Sequence, residues 1–453
     1  MKRCIAYTVA AMLLAGTAIC WADNLCREAV AGKDYNEGVE EYAKMLASGM
    51  SKKDMAAIYN SRGYADYKEG LCDQAIVDCT RAIALNPKLA DAYFNRGNAY
   101  SGKGFFDIAI DDYTKSIRIA HKNASAYNNR GIVYSREGLY DQAIDDYDAV
   151  IRLLPNNVNA YNNRGVAYYR KGRYDRAMAD YKRAIGLDPA FANAYFNLGI
   201  AHDDKGLYDQ AIAAYTKAID LEPKFAIAYN NRGIAYRHKG LYDQAIADYT
   251  KAIDLEPKFA IAYNNRGIAS RNKGLYDQAI ADYSKAIDLM PRFINAYINR
   301  GNAYYDQGLY ALSETDFAKA IELNPGYEYP YLRMLNAEWM LKGNVTATLD
   351  RLRQYEASTD FSGSMRAVAI YFLGRGSDKE QSILAGILDT KDEKRRRELL
   401  CEAYFFLGVK LFADGNRQGS AAYFVRSIDT NAPDCDEYYG SKAMLKLMNE
   451  GKI

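Results

Sequence analysis

Histidine is nearly absent from this chain of 453 residues. Only His121, His202 and His238 occur, too scattered to build a Ser-His-Asp or Cys-His catalytic set or a zinc site. The seven cysteines contain no C-x-x-C spacing, and no glycine-rich phosphate loop follows a strand-like run, so no metal and no cofactor is expected. An excess of one charge is missing too. Lys and Arg total 59 and Asp and Glu 57, whereas a nucleic-acid surface needs clustered cationic excess. The one compact basic run, Lys394-Arg395-Arg396-Arg397, is flanked by Asp392, Glu393 and Glu398 and reads as a solvated helix face. Beyond the first twenty residues no apolar run approaches the ~20 residues of a membrane span. These absences point away from an enzyme.

The amino end is different. Met1-Lys2-Arg3 supplies positive charge, and Cys4 to Cys20 an apolar stretch, in the order of a secretory leader. Ala22, with Cys20 two places before it, makes a small-x-small cleavage site, so residues 1–22 read as a signal peptide; Gly16-Thr17-Ala18 is a competing site. The protein is then exported to the periplasm or cell envelope. Membrane attachment is expected only if the leader stays uncleaved or Cys20 is acylated, and the bulky Ile19 stands where acylated leaders usually place a small residue. Cys26, Cys72, Cys79, Cys401 and Cys435 remain after cleavage, an odd set in a compartment where disulfides persist.

Glycine carries the organisation of the rest. Gly63, Gly97, Gly131, Gly165, Gly199, Gly233, Gly267 and Gly301 recur every 34 residues, which defines eight repeats over residues 56–327. With this glycine at position 8, Tyr occupies position 4 throughout and usually 11, a second glycine stands at 15, a small residue at 20, Tyr usually at 24, and proline at 32 in seven repeats. The glycine at 15 suits the left-handed turn that ends a first helix, and the proline ends a second. His121 replaces that proline once, and a looser turn is expected there. These residues at this spacing resemble the tetratricopeptide repeat family. The resemblance implies an all-α solenoid, a right-handed superhelix of helix-turn-helix units whose concave face grips a peptide or protein segment.

Seven arginines stand at position 7, and Asp stands at position 23 in the same repeats; the one repeat with Leu198 for Arg has Ala214 for Asp. This joint loss predicts ion pairs inside each repeat: Arg96 with Asp112, Arg130 with Asp146, Arg164 with Asp180, Arg232 with Asp248, Arg266 with Asp282 and Arg300 with Asp316. Position 6 is Asn in seven successive repeats, Asn95, Asn129, Asn163, Asn197, Asn231, Asn265 and Asn299. A column of amides along the concave wall suits the N–H and C=O groups of an extended peptide. Specificity is expected from Phe94 and Phe196 as aromatic anchors, Asp203 as an acidic spot, and Arg237 and Arg271 as a basic one. That mixture predicts a partner segment carrying both charge signs.

Residues 23–55 read as a degenerate capping unit, and residues 328–453 as a degenerate helical tail with helices expected at 328–341, 345–356, 363–373, 378–389, 391–413, 417–429 and 435–449. Tyr404, Gly408 and Gly415 recover a ninth repeat. Tyr331-Leu332 to Trp339, Tyr371-Phe372-Leu373-Gly374, Glu402 to Gly408 and Ala421 to Phe424 follow the C-terminal half of the NlpI family of periplasmic tetratricopeptide lipoproteins. That resemblance implies an envelope adaptor whose partners include a protease or peptidoglycan-acting enzymes. A structural assembly factor for an envelope machine, a pilus or secretion system, is the alternative reading.

Overall fold

The computed structural model describes residues 49–327, 329–341, 348–350, 384, 387–388, 390–432 and 435–450. The leader, most of the expected capping unit, and the helices expected at 363–373 and over most of 345–356 and 378–389 lie outside them. The described chain is an all-α solenoid of helix-turn-helix repeats followed by a more irregular helical region. Two compact units divide it after Ala201.

In the first unit the helices alternate as α1 (Lys52–Lys68), α2 (Cys72–Leu85), α3 (Ala90–Gly102), α4 (Phe106–Ile119), α5 (Ala124–Arg136), α6 (Tyr140–Leu153), α7 (Val158–Arg170) and α8 (Tyr174–Leu187). Helix α9 (Ala192–Asp204) spans the division. The second unit holds α10 (Tyr208–Leu221), α11 (Ala226–His238), α12 (Tyr242–Leu255), α13 (Ala260–Asn272), α14 (Tyr276–Leu289), α15 (Ile294–Asp306) and α16 (Tyr310–Leu323). Its tail adds α17 (Tyr329–Met340), α18 (Glu393–Ala413), α19 (Arg417–Asp429) and α20 (Asp436–Asn449).

Close helix approach explains the repeat. Ala92, Ala99, Ala109 and most of their counterparts in the following repeats are wholly buried, so the backbones of a pair meet with little more than methyl groups between them. The glycine at position 8 goes further. A Cβ on Gly165 would sit 2.6 Å from the ring of Tyr181, and one on Gly408 in the tail 2.7 Å from Phe424. The glycine at position 15 ends each first helix at a φ that side chains rarely adopt, +82° at Gly70 and +70° at Gly206. Helix α1 starts ahead of residue 56 because Ser51 caps it, its hydroxyl accepting from the Asp54 amide at 3.2 Å.

The turn at His121 corrects the expectation of a looser loop. Helix α4 ends at Ile119, the same repeat position as its proline-stopped counterparts, with the Asn123 amide bonded to the Ala120 carbonyl at 3.0 Å, as Asn157 bonds to Leu154. The Asn123 side chain then accepts from the Ala126 amide at 3.1 Å and starts α5. Cap hydrogen bonds are sufficient to stop the helix here without proline.

Candidate functional site

The polar side chains that recur along the repeats are bonded both within and between repeats. Each position-7 arginine forks onto the aspartate sixteen residues later: Arg96 on Asp112, Arg130 on Asp146, Arg164 on Asp180, Arg232 on Asp248, Arg266 on Asp282 and Arg300 on Asp316, through Nε and Nη2 at 2.7–2.9 Å. Arg62 forks onto Asp78 in the same way. The remaining Nη1 reaches back to the preceding repeat, from Arg130 to Thr114 at 2.8 Å, Arg164 to Asp148 at 2.5 Å, Arg266 to Thr250 at 3.1 Å and Arg300 to Ser284 at 2.9 Å. One guanidinium thus joins two repeats.

Tyrosine rings at positions 4 and 11 flank that guanidinium. Arg130 lies 5.7 Å from the Tyr127 and Tyr134 ring centres, and Arg232 lies 5.5 and 5.9 Å from Tyr229 and Tyr236. Burial pushes the carboxyls of Asp146 and Asp316 up against the pull of Arg130 and Arg300. Desolvation therefore offsets much of the attraction, as buried ion pairs commonly show. A repeat that lacks both charges is tolerated for this reason: Leu198 and Ala214 are both buried, at 8% and 7% exposure.

A second ladder runs through the asparagines. Asn95 donates to Asn60 at 2.9 Å, Asn197 to Asn162 at 2.9 Å, Asn265 to Asn230 at 3.0 Å and Asn299 to Asn264 at 2.9 Å, always from position 6 to position 5 of the repeat before. Where Phe94 takes position 5, Asn129 donates to Asn98 instead, at 2.8 Å. Where Phe196 takes it, the Asn231 carbonyl accepts from Asn230 at 3.1 Å. Asn163 is half-buried with no hydrogen bond among the described residues. Most of the column thus directs one amide N–H onto a neighbouring repeat.

The residues read as specificity anchors are also engaged. Phe94 packs on the Tyr113 ring at 6.0 Å, and Phe196 is half-buried. Asp203 faces His238 across the repeat boundary at 3.8 Å, and Arg237 lies 3.0 Å from the other nitrogen of His238, so the acidic and basic spots form one cluster. Arg271 requires a correction. It is 3% exposed, with its Nε on Asp306 at 2.7 Å, and is not an open basic anchor.

The tail lies against this part of the second unit. Tyr439 of α20 shares a 2.6 Å hydrogen bond with Tyr242, Glu437 accepts from Tyr329 at 3.0 Å and stands 3.7 Å from Arg333, and the Arg271 charge acts on the Tyr439 phenol. The Arg333 guanidinium is wholly buried between Tyr305 and Phe405, 4.9 and 5.0 Å from their centres. Sequence reasoning missed this cover, because the contacts join positions up to 197 residues apart.

Among the described residues, one group has ligand atoms close enough to share a cation: Glu402, Cys435 and Glu437, within 4.8 Å. Two of its members already bond each other, Cys435 donating to Glu437 at 3.1 Å. No described helix is long and apolar enough to cross a membrane.

This is a scaffold built from interlocked repeats, with no catalytic motif among the described residues. TPR repeat models match residues 63–104, 136–172, 167–206 and 269–308, and tetratricopeptide repeat models match 90–123, 196–258, 248–281 and 294–327. The chain is a tetratricopeptide-repeat protein, a protein–protein interaction module. Among solved structures it is similar to MamA, at 34% identity over 37% of this chain and 92% of that one with a TM-score of 0.34. It is similar to YrrB, described as a TPR protein with an unusual peptide-binding site, at 26% identity over 41% and 95% with a TM-score of 0.35. It is similar to the pilF protein of Pseudomonas aeruginosa at 17% identity over 46% of this chain and 94% of that one, with a TM-score of 0.41. No curated protein sequence matches the chain. Nothing in these comparisons ties the tail to the NlpI family, and Tyr371 to Gly374 lie outside the described residues.

Proposed function

We propose that this protein is a structural assembly factor of the cell envelope, a scaffold that holds folded subunits of a machine such as a pilus or secretion system. The observation that carries the reading is the repeat-to-repeat bonding of the arginine and asparagine ladders. Side chains committed to joining repeats stiffen each compact unit, and a stiff surface loses little conformational entropy when a folded partner docks. Export to the envelope is supported by the leader at residues 1–22.

Deleting the gene and quantifying assembled envelope machines tests the proposal. Loss of assembly while the machine's subunits are still made is expected. Intact assemblies would overturn it.

A second reading, an adaptor for an extended peptide, is favoured by Asn163, whose amide is uncommitted. An envelope protease or peptidoglycan-acting enzyme would then be the client. Alanine at Asn163, Asn197 and Asn231 together should remove the partners under this reading and leave them in place under the first.

A further inference from the structure

Four cysteines fall among the described residues with free thiols. Cys72 and Cys79 are seven residues apart on α2, about 10 Å along a helix axis, beyond the ~7 Å Cα separation a disulfide allows. They cannot bridge each other. Cys401 and Cys435 are placed otherwise: both are buried, and they share one small apolar cluster with Ala432. Cys401 Sγ lies 3.3 Å from Ser427 Oγ, and Cys435 Sγ lies 3.9 Å from the Glu398 carbonyl, one helical turn before Cys401 on α18. Cys435 precedes α20 in extended backbone, at φ −92° and ψ 127°, so it can shift without unwinding a helix.

We infer that Cys401 and Cys435 form a disulfide in the oxidised protein, fastening the start of α20 to α18. The two thiols lose two protons and two electrons as the S–S bond forms. A glutathione-type disulfide accepts both and leaves as two thiols. Both thiols are buried, so closure belongs to the folding chain, before the cluster is sealed, and the closed bond is shielded from reductant afterwards. The bond would hold in place the helix whose Tyr439 meets Tyr242.

Full-length protein refolded into a buffer of reduced and oxidised glutathione, then trapped with N-ethylmaleimide in denaturant, tests this by mass spectrometry. The expected result is a peptide pair lighter by two hydrogens that joins Cys401 to Cys435, with maleimide on Cys72 and Cys79. In the folded protein, dithiothreitol should open the bond at least tenfold more slowly than in urea. Maleimide or glutathione on Cys401 and Cys435 would overturn the inference. So would stoichiometric zinc released with both thiols free, which would assign the cluster to a metal together with Glu402 and Glu437.

Discussion

Residues 222–255 and 256–289 differ only at Tyr236/Ser270, His238/Asn272 and Thr250/Ser284, yet the same arginine meets two environments in them. Arg237 is half-buried beside His238, while Arg271 is 3% exposed and bonded to Asp306. The cause lies outside the repeat. The residue thirty-five places on is Asn272 for Arg237 and Asp306 for Arg271, and α20 brings Tyr439 within reach of the second arginine only. A repeat therefore specifies its own fold, whereas its neighbours decide whether its surface is open.

The largest test of that contrast is Arg271→Ala against Arg237→Ala. Removing Arg271 strands Asp306 in the interior and should cost about 3–5 kcal/mol in urea unfolding, while Arg237→Ala should cost under about 1 kcal/mol. Equal losses would show the two sites to be alike after all. Next come Gly233→Ala and Gly267→Ala, whose Cβ atoms would meet Tyr249 and Tyr283 at 2.7 and 2.6 Å. Both should lose about 1–3 kcal/mol, to the same degree, because this contact is internal to each repeat.

A double-mutant cycle on Arg232→Leu and Asp248→Ala should return about 1–3 kcal/mol of coupling, since losing both charges is milder than losing one. Strict additivity would refute a paired interaction. Tyr236→Ser should then cost about 0.5–1 kcal/mol, because it leaves Arg232 with one flanking ring, the state of Arg266 beside Ser270. The smallest effect belongs to Lys239→Ala and Lys273→Ala. Their partners Asp209 and Asp243 are 82% and 81% exposed, so neither variant should shift the melting temperature resolvably, with or without added salt.

Much of the site chemistry leaves a trace in the sequence. The Arg–Asp spacing is visible in the joint loss at Leu198 and Ala214. The arginine's second bond had a trace as well: position 25 is Thr, Ser or Asp wherever the next repeat carries Arg, but Lys182 before Leu198 and Ala318 before Met334. The asparagine ladder is signalled by Asn60, Asn162, Asn230 and Asn264 at position 5, each one place more than a full repeat before its donor. Position 6 alone reads as a ligand surface; positions 5 and 6 together also read as a joint between repeats. The proline at position 32 is not required to end the second helix, since the cap bonds at Asn123 end α4 without it.

By itself the sequence determined the repeat: its period, the two glycines, the small-residue contacts and, in seven of the eight repeats, the charge pair are all local and set by close packing. Only the tertiary structure decided which faces stay open. The meeting of Tyr439 with Tyr242, the burial of Arg271 and the cage around Arg333 depend on where the tail folds back, and no pattern of spacing within 34 residues encodes a contact between positions 197 apart.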